Sequence, residues 1–555
     1  MSLLLKIISG LIGGILAPLY AYKILLLYQL SGYRINELAT AIKRKPIAYF
    51  CLSPIAAIVA FVACAAIYPF CRDDAFVSAV ALPLAAGIAV AVNAHLSAKV
   101  KLAFTARVKR LIVVFALIST LLTVPLAAVY PPLFALAAIF PGAIAFLIAA
   151  AITSPIENRR NKRFVEWSKA VLAERSGLIK IGITGSYGKT TAKNLLTAFL
   201  SNEYSTCATP GNYNMPMGIA LTVRDELLPD DDVFVAEMGA RYPGDIRELC
   251  EIVMPSIAVV TAIGTQHLET FGSEENLMNT KKELVDALPD DGAAIFNGDN
   301  DGCKKLYERC RCKRMISGCD EAAIKALYSL MENKRGEETN KSRPTSEAVR
   351  KEIKAFSAFD AYYGDVGYAA RGMEFTLAVR GEAARISTPL LGAHIPSMIA
   401  ECALAASYMG IPLEKIKFAA SEAKAVAHRL ELLYNGDDVI IDDAYNGNES
   451  GAKSALEVLS KFTPRVRVLI TPGVVELGER GESANENIGR IAATACDYAI
   501  FVGGNAEALS RGAIANGLGA DKIAKTRSLD EAMEKLKIIK GEKAVLFEND
   551  LPDNY

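Results

Sequence analysis

The sequence predicts an N-terminal all-α transmembrane region of five spans, followed by two α/β domains. Hydrophobic residues make up 52% of the 555 residues and the mean hydropathy is +0.25, which is high for a soluble protein. Residues 1–175 contain 18 Lys and Arg and 6 Asp and Glu, whereas residues 176–555 contain 43 Lys and Arg and 55 Asp and Glu. This composition excludes a disordered chain, and the acidic rear part argues against nucleic-acid binding.

The predicted transmembrane region comprises residues 1–156, because a helix needs about 20 apolar residues to cross the hydrocarbon core. The first three apolar stretches are Leu3–Leu30, Pro46–Cys71 and Ala75–Ala98. The 46 residues of 111–156 contain no formal charge, which corresponds to about 69 Å of helix, roughly twice the core thickness. We therefore expect two further spans, with a hinge at Tyr130-Pro131-Pro132.

The first stretch has an alternative interpretation as a cleaved signal peptide, because Lys6 precedes its apolar run. The four apolar stretches that follow favour a span, in which Lys23 reaches the interface or faces a polar interior.

Basic residues follow the first, third and fifth spans. They are Arg34, Lys43, Arg44 and Lys45, then Lys99, Lys101, Arg107, Lys109 and Arg110, then Arg159, Arg160, Lys162 and Arg163. Positive loops stay in the cytoplasm. We therefore expect a multi-pass protein of the cell (inner or plasma) membrane, with its N-terminus outside and its α/β domains in the cytoplasm. Residues 157–177, which contain Trp167, are predicted to form a basic amphipathic linker helix on anionic headgroups.

Two α/β domains are predicted after the linker. Residues 178–432 alternate short apolar strands with helical patterns, which favours a mainly parallel sheet. The charged segment Met331–Lys354 is interpreted as a solvated insertion or a loop helix. Residues 433–555 form the second domain. Its strands are expected near Val439–Ile441, Val466–Ile470, Tyr498–Val502 and Ala544–Phe547.

A glycine-rich turn follows the first strand of the central domain. Residues 178–191 read LIKIGITGSYGKTT, and AKNLL then continues as a helix. Backbone N–H groups of such a turn bind phosphates. Lys189 would neutralise the β- and γ-phosphates, and Thr190 would offer its hydroxyl to Mg²⁺. The usual first glycine falls at Ile183, so the spacing alone leaves a chance glycine turn open.

Four cysteines lie close together after this region: Cys303, Cys310, Cys312 and Cys319. Zinc sites usually use pairs separated by two to four residues. We therefore interpret these residues as thiols without a role, with metal binding as the alternative.

A series of short segments, in order along the chain, resembles the Mur ligases, and within them the branch that adds D-alanyl-D-alanine. The segments are Gly185–Thr191, Thr209–Asn214, Glu237–Ala240, Gly244–Ile246, His267–Glu269, Phe271–Ser273, Lys281–Glu283, His428–Glu431, Asp442–Asn448 and Glu476–Gly478. They cover roughly residues 177–510. The resemblance implies a Mur-ligase central P-loop ATPase domain and a Rossmann-like Mur-ligase C-terminal domain.

The resemblance also implies the site residues. For ATP they are Gly185, Ser186, Tyr187, Gly188, Lys189, Thr190, Thr191, Arg429, Asp442 and Asp443. Arg429 would reach the γ-phosphate. Asp443 or its neighbour Asp442 would accept hydrogen bonds from the ribose hydroxyls, and the alternative is that the two residues form an acidic pair on the surface. For Mg²⁺ they are Thr190, Glu237, His267 and Lys281. Lys281 matches a lysine that is carbamylated in the family, with an ordinary surface lysine as the alternative. The implied catalytic residues are Lys189, His267, Lys281 and Arg429.

Several positions depart from the family pattern. Ala262 replaces an asparagine before the metal-binding histidine, and Met398 replaces an asparagine four residues after His394. Glu449 stands where a proline is expected, and Asn485 where a histidine is expected. Because the family places several of these positions around adenine or the incoming amine, the departures bear on the second substrate.

The implied reaction is ATP-dependent amide ligation in cell-wall precursor synthesis. A carboxylate attacks the γ-phosphate, and an amine such as D-Ala-D-Ala then attacks the acyl phosphate. The expected partners are a muropeptide carboxylate, UDP-linked or lipid-linked, and the lipid bilayer. Only about 27 residues separate the last span from the nucleotide strand, which leaves no room for the family's soluble sugar-nucleotide domain and favours a lipid-linked substrate. The alternatives are a P-loop ATPase that energises a membrane machine or transporter, and a catalytically silent membrane scaffold.

Overall fold

The architecture comes from a computed structural model. It describes residues 7, 10–11, 14–15, 17–19, 21–44, 101–129, 140–264, 271–337, 346–369, 372–425, 428–444, 449–474 and 481–549. Two compact units divide the chain, one reaching Arg163 and the other beginning at Phe164.

The described regular structure of the first unit is helical. Its helices are α1 (Tyr22–Leu30), α2 (Ile35–Arg44), α3 (Ala106–Val129) and α4 (Phe140–Glu174), the last of which continues into the second unit. The predicted hinge itself, and the predicted spans Pro46–Cys71 and Ala75–Ala98, lie outside the described residues.

One stretch of the described helices, Ala106–Pro125, is long and apolar enough to cross a membrane, with a mean hydropathy of 1.9. The predicted fourth span corresponds to this helix. The five-span arrangement as a whole stays a prediction.

The predicted linker at 157–177 does not form a separate helix. Helix α4 runs without interruption from Phe140 to Glu174 and includes Pro155. The boundary at residue 156 was predicted from a change of composition, and composition does not end a helix. A single proline removes one hydrogen bond, and the residues around it continue the helical backbone.

The helices of the first unit contact one another closely. Gly10 and Gly14 lie against α3, where an added Cβ at Gly14 would meet the Thr120 Oγ1 at 2.1 Å. Thr123 Oγ1 donates a hydrogen bond of 2.6 Å to the Gly10 carbonyl. Arg110 and Glu157 form a two-pronged ion pair with distances of 2.5 and 2.8 Å. The pairing joins the start of α3 to α4.

The central domain contains a nine-stranded sheet in the order β2-β3-β1-β4-β5-β6-β7-β8-β9. The strands are β1 (Ile179–Thr184), β2 (Thr206–Ala208), β3 (Val233–Glu237), β4 (Ile257–Val260), β5 (Ala293–Asn297), β6 (Lys313–Cys319), β7 (Ala361–Ala369), β8 (Gly372–Val379) and β9 (Glu382–Thr388). In this order, every pair of adjacent strands from β2 to β7 is parallel. The last three strands, β7, β8 and β9, form an antiparallel meander. The predicted, mainly parallel α/β sheet is therefore confirmed.

Helices cover both faces of this sheet. They are α5 (Lys189–Leu200), α6 (Pro216–Asp225), α7 (Asp245–Val253), α8 (Glu274–Asp286), α9 (Asp301–Arg309), α10 (Glu321–Glu337), α11 (Ser346–Ala355), α12 (Ile395–Tyr408) and α13 (Leu413–Ser421). The charged segment Met331–Lys354 thus contributes to two helices, with residues 338–345 outside the description.

The second α/β domain contains a six-stranded sheet in the order β10-β11-β15-β12-β13-β14. The strands are β10 (Glu431–Asn435), β11 (Asp438–Asp443), β12 (Val466–Thr471), β13 (Tyr498–Val502), β14 (Ile523–Thr526) and β15 (Lys543–Glu548). The helices are α14 (Glu449–Ser460), α15 (Gly481–Ala495), α16 (Ala506–Ala515) and α17 (Leu529–Ile538). All four predicted strands are present. The predicted boundary at 432/433 falls inside β10, which pairs antiparallel with β11.

Candidate active site

The phosphate loop lies at the carboxyl end of β1, in the crevice beside β4. The chain leaves β1 toward β2 and leaves β4 toward β5, in opposite directions across the sheet, and ligands bind at such reversal points. Gly188 precedes α5 with a φ of +81°, a conformation that favours glycine. Thr261 Oγ1 donates to the Tyr187 carbonyl at 2.7 Å, and the Ser186 N–H donates to the Ala262 carbonyl at 2.7 Å. These bonds fix the loop against β4.

Lys189 is the first residue of α5, and its ammonium group is held over the loop. Its Nζ donates to the carbonyls of Gly185 at 2.8 Å and Ser186 at 3.3 Å. Burial lowers the pKa of Lys189, the Glu237 carboxylate opposes that effect, and the charge of Arg429 adds to it. A cation held at the N-terminus of a helix is suited to binding a polyphosphate.

Glu237 ends β3 directly opposite α5 and is 1% exposed. Its carboxylate accepts hydrogen bonds from Thr190 Oγ1 at 2.9 Å and from Asn214 Nδ2 at 3.0 Å, and Lys193 Nζ lies 3.6 Å away. A carboxylate and a hydroxyl side by side are hard oxygen donors, the type that Mg²⁺ prefers. The residues present therefore fit the implied metal. His267, the other predicted ligand, lies outside the described residues.

Lys281 is on the buried face of α8 and is 3% exposed. Burial, and then the charge of Lys189, lower the pKa of Lys281 to about 7, against the opposing carboxylates of Asp245 and Glu283. The interpretation as an ordinary surface lysine is wrong, because the side chain is buried. A substantial neutral fraction at physiological pH provides the amine form that reacts with carbon dioxide.

The second domain contributes the remaining predicted residues. Arg429 is exposed, and its charge acts on both Lys189 and Asp443. Asp442 Oδ2 pairs with His428 Nδ1 at 2.8 Å, whereas Asp443 Oδ1 accepts from the Leu430 N–H at 3.1 Å. Burial raises the pKa of Asp443 to about 6. Both carboxylates thus lie at the carboxyl end of β11, beside the segment that joins the two domains.

The departures from the family pattern also have structural counterparts. The Met398 methyl group packs against Gly188, where an added Cβ would approach it to 2.7 Å. Asn485 is fully buried, and its amide bonds to both ends of one loop, to the Val474 N–H and carbonyl and to the Gly481 carbonyl. The segment Glu476–Gly478 between these ends lies outside the described residues.

Sequence reasoning missed three polar residues that complete the site. Asn214 and Lys193 both contact Glu237, and Thr209 Oγ1 accepts from the Glu237 N–H at 3.0 Å. A signal was present, because Thr209 and Asn214 lie within a segment that carried the family resemblance. Lys193 follows Lys189 by four residues, which places both on one face of α5.

The fold and the site together define a nucleotide-using enzyme with two α/β domains, and comparison with known proteins specifies the family. Residues 183–406 match the Mur ligase middle domain, and residues 428–548 match the Mur ligase glutamate ligase domain. The chain belongs to the Mur ligase family. Within the family it is a MurF-like, ATP-dependent ligase, as its relatives indicate.

Those relatives are named UDP-N-acetylmuramoyl-tripeptide–D-alanyl-D-alanine ligase. The Escherichia coli enzyme is 29% identical over 372 residues, which cover 66% of this chain and 72% of the relative. The Mycobacterium tuberculosis (strain H37Rv) enzyme is 30% identical over 324 residues, which cover 57% of this chain and only 56% of the relative.

Solved structures share the fold. MurF from Acinetobacter baumannii superposes with a TM-score of 0.58 at 23% identity, covering 70% of this chain and 78% of its own. MurF from Thermotoga maritima, solved in complex with ADP, has a TM-score of 0.54 at 23% identity, and the match covers 70% of this chain and 80% of that chain.

Proposed function

We propose that this chain is a membrane-anchored ligase of cell-wall precursor synthesis, which joins D-Ala-D-Ala or a similar amine to a muropeptide carboxylate through an acyl phosphate. The observation that carries the proposal is the arrangement of Lys189, Thr190 and Glu237 around the phosphate loop, with the buried Lys281 beside them. The names of the relatives supply the substrate class.

The chain's own residues would act chiefly by positioning charge. Lys189 and Arg429 would stabilise the negative charge of the transferring phosphoryl group. Thr190, Glu237, His267 and a carbamylated Lys281 would hold Mg²⁺, which neutralises the phosphate oxygens when bound. Asp442 or Asp443 would accept hydrogen bonds from the ribose. No nucleophilic side chain is required, because the substrate carboxylate attacks the phosphate directly.

Membrane anchoring rests on the first unit, where the outward face of α3 is apolar. On α3, Val113, Leu117 and Leu121 are 58%, 65% and 75% exposed, whereas Phe115 and Ser119 face inward. A soluble helix would expose polar residues instead. Close contact through Gly10 and Gly14 is typical of membrane helices, whose interfaces use small residues.

We further propose that the muropeptide is presented at the membrane as a lipid-linked precursor. Between the apolar part of α4 and the nucleotide strand β1 the chain holds only the basic end of α4 and a short turn. The second interpretation is that the soluble UDP-linked precursor is the substrate and the first unit serves only as an anchor.

The test is phosphate release by the purified full-length chain, given UDP-linked or lipid-linked muropeptide in separate assays, each with D-Ala-D-Ala. We expect release that requires both substrates and a hydroxamate when hydroxylamine replaces the amine. Efficient use of the UDP-linked precursor would refute the lipid-linked substrate. ATP hydrolysis that needs neither substrate would favour the membrane ATPase, and no turnover at all would favour the silent scaffold.

The matched control is Lys189→Ala, which should fold normally and lose roughly 10²–10³-fold or more of the ligation rate, because it removes charge stabilisation of the transition state. Full activity of this variant would overturn the assigned phosphate site.

A further inference from the structure

Two cysteines outside the active site lie with their sulfur atoms in contact. Cys310 follows the last residue of α9, and Cys312 directly precedes β6. Their Sγ atoms are 3.3 Å apart. Cys310 is buried and Cys312 is half-buried, and both are free thiols. The chemistry proposed for ligation uses neither residue.

The separation of the two sulfurs is compatible with disulfide formation and with metal binding, and the neighbouring residues decide between them. A disulfide bond is about 2.05 Å long, so the sulfurs need to approach by roughly 1.3 Å. Two thiolates on a tetrahedral zinc ion, with Zn–S bonds of about 2.3 Å, lie roughly 3.8 Å apart. Among the described residues, no His, Cys, Asp or Glu joins this pair in a group of three potential ligands. Because the described residues offer no third ligand beside the two sulfurs, they favour oxidation of the pair over metal binding.

We propose that Cys310 and Cys312 form a thiol modification site that reacts with a low-molecular-weight disulfide and closes reversibly to an intramolecular disulfide. The two thiols are oxidised by two electrons, and the small disulfide, RSSR, is reduced to two thiols, RSH.

The reaction takes place in two exchange steps. The Cys312 thiolate attacks one sulfur of RSSR, which forms a Cys312–S–S–R bond, breaks the S–S bond of the reagent and releases RS⁻. The Cys310 thiolate then attacks Cys312 Sγ and displaces the second RS⁻. The protons lost by the two cysteines balance those gained by the two RSH molecules.

The surroundings of the two cysteines explain why Cys312 reacts before Cys310. Burial, and then the neighbouring Cys312 thiol, raise the pKa of Cys310 to about 12, while the charge of Arg314 acts in the opposite direction. Cys310 therefore rests as a neutral thiol beneath the more accessible Cys312. Once Cys312 carries the R group, its thiol no longer opposes ionisation of Cys310, and the second step becomes easier.

A disulfide between residues two apart closes a small ring, and strained or exposed disulfides have relatively high reduction potentials. Such a bond is easily reduced again. The site is therefore expected to respond to the ratio of oxidised to reduced small thiols and not to remain permanently closed.

The test uses the full-length chain in detergent, equilibrated with glutathione and glutathione disulfide at a series of ratios, then acid-quenched, alkylated and digested with Lys-C. The peptide Leu306–Lys313 contains Cys310 and Cys312 and no other cysteine. We expect this peptide to lose two hydrogens and to escape alkylation as the disulfide fraction increases, and dithiothreitol to restore both thiols.

Three variants separate the steps. Cys310→Ser should trap a glutathione adduct on Cys312, whereas Cys312→Ser should leave Cys310 reduced. Cys319→Ser, which changes an exposed cysteine at the far end of β6, should leave the disulfide yield unchanged. A peptide that stays fully reduced at the highest disulfide ratio would overturn the proposal. Accumulation of a glutathione adduct in the unaltered chain without ring closure would overturn it as well.

Discussion

Lys281 illustrates how much a single side chain depends on its surroundings. It is adjacent to the half-buried Lys282, whose ammonium group pairs with Asp286 on the helix surface, yet Lys281 itself is 3% exposed and lies near Lys189. A charged ammonium in that position is disfavoured, because burial and a second cation both act against it. A carbamate would convert the lysine into an anion, which the charge of Lys189 favours and which could serve as a metal ligand.

We therefore expect Lys281→Ala to lose most of its ligation activity and to recover part of it when formate or acetate is added, because a small carboxylate can take the place of the carbamate. The measurement is the ligation rate against carboxylate concentration. Lys282→Ala is the matched control and should keep its activity without any response to acetate. An active Lys281→Ala variant would contradict the carbamate.

Glu548 is a second buried ionisable residue, at the carboxyl end of β15. It is 1% exposed, accepts a hydrogen bond of 2.5 Å from Thr471 Oγ1 and is in register with Asp443 on the adjacent strand. Burial, reinforced by the charge of Asp443, raises the pKa of Glu548 to about 7, while the Thr471 hydrogen bond opposes this. The folded protein therefore binds this proton more tightly than the unfolded chain does.

The sign of the pH dependence follows from that difference. Stability contributed by protonated Glu548 is complete below the unfolded pKa of about 4.5 and is lost as pH rises toward about 7. Glutamine cannot ionise at this position. We therefore expect the free energy of unfolding of Glu548→Gln to exceed that of the unaltered protein by up to about 3 kcal/mol as the pH rises from 4.5 to 8. The measurement is calorimetric unfolding of both full-length proteins at several pH values. Glu507→Gln, at an exposed ion pair, should show no comparable gain.

At the scale of elements, the contact between the N-terminal segment and α3 depends on the absence of side chains. An added Cβ at Gly14 would lie 2.1 Å from Thr120 Oγ1 and 2.3 Å from Thr120 Cα, so the backbones would have to separate. Glycine and other small residues are enriched where membrane helices meet, because they let the backbones approach closely.

We expect Gly14→Ala to destabilise the first unit by about 1–3 kcal/mol, the usual cost of overpacking, and to lower the melting temperature of the detergent-solubilised chain. Gly177→Ala is the control, because nothing lies within 4 Å of its added Cβ. Equal melting temperatures for the two variants would show that the helices do not pack through Gly14.

The phosphate loop shows where local sequence suffices at this scale. The β-branched run before it and the glycines within it specify a strand, a turn and a helix start, and the structure has all three in that order. Local sequence does not predict which residues of other strands face the loop. Asn214, Thr209 and Glu237 reach it only because β2 and β3 lie beside β1 in the sheet.

At the scale of the whole molecule, the basic segments predict the orientation that the chain would take in a membrane. Reporter fusions after Arg110 and after Arg163 should both report the cytoplasm, and one after Asp74 should report the exterior, because positive segments resist translocation. An exterior signal at Arg163 would contradict the five-span arrangement. A fusion at Arg163 interrupts α4, so a second fusion after Glu174 serves as its control.

The sequence by itself determined the order of the parts, the mainly parallel α/β sheet and the phosphate loop. Apolar periodicity, glycine turns and short ordered segments are local properties, and each can be recognised without knowing what lies opposite. Only the tertiary structure decided that Lys281 is buried beside Lys189, that Asn214 and Lys193 contact Glu237, that α4 continues past residue 156, and that Cys310 meets Cys312. Burial, strand order and side-chain contacts arise between residues distant in the chain, and the pKa values that follow depend on those surroundings.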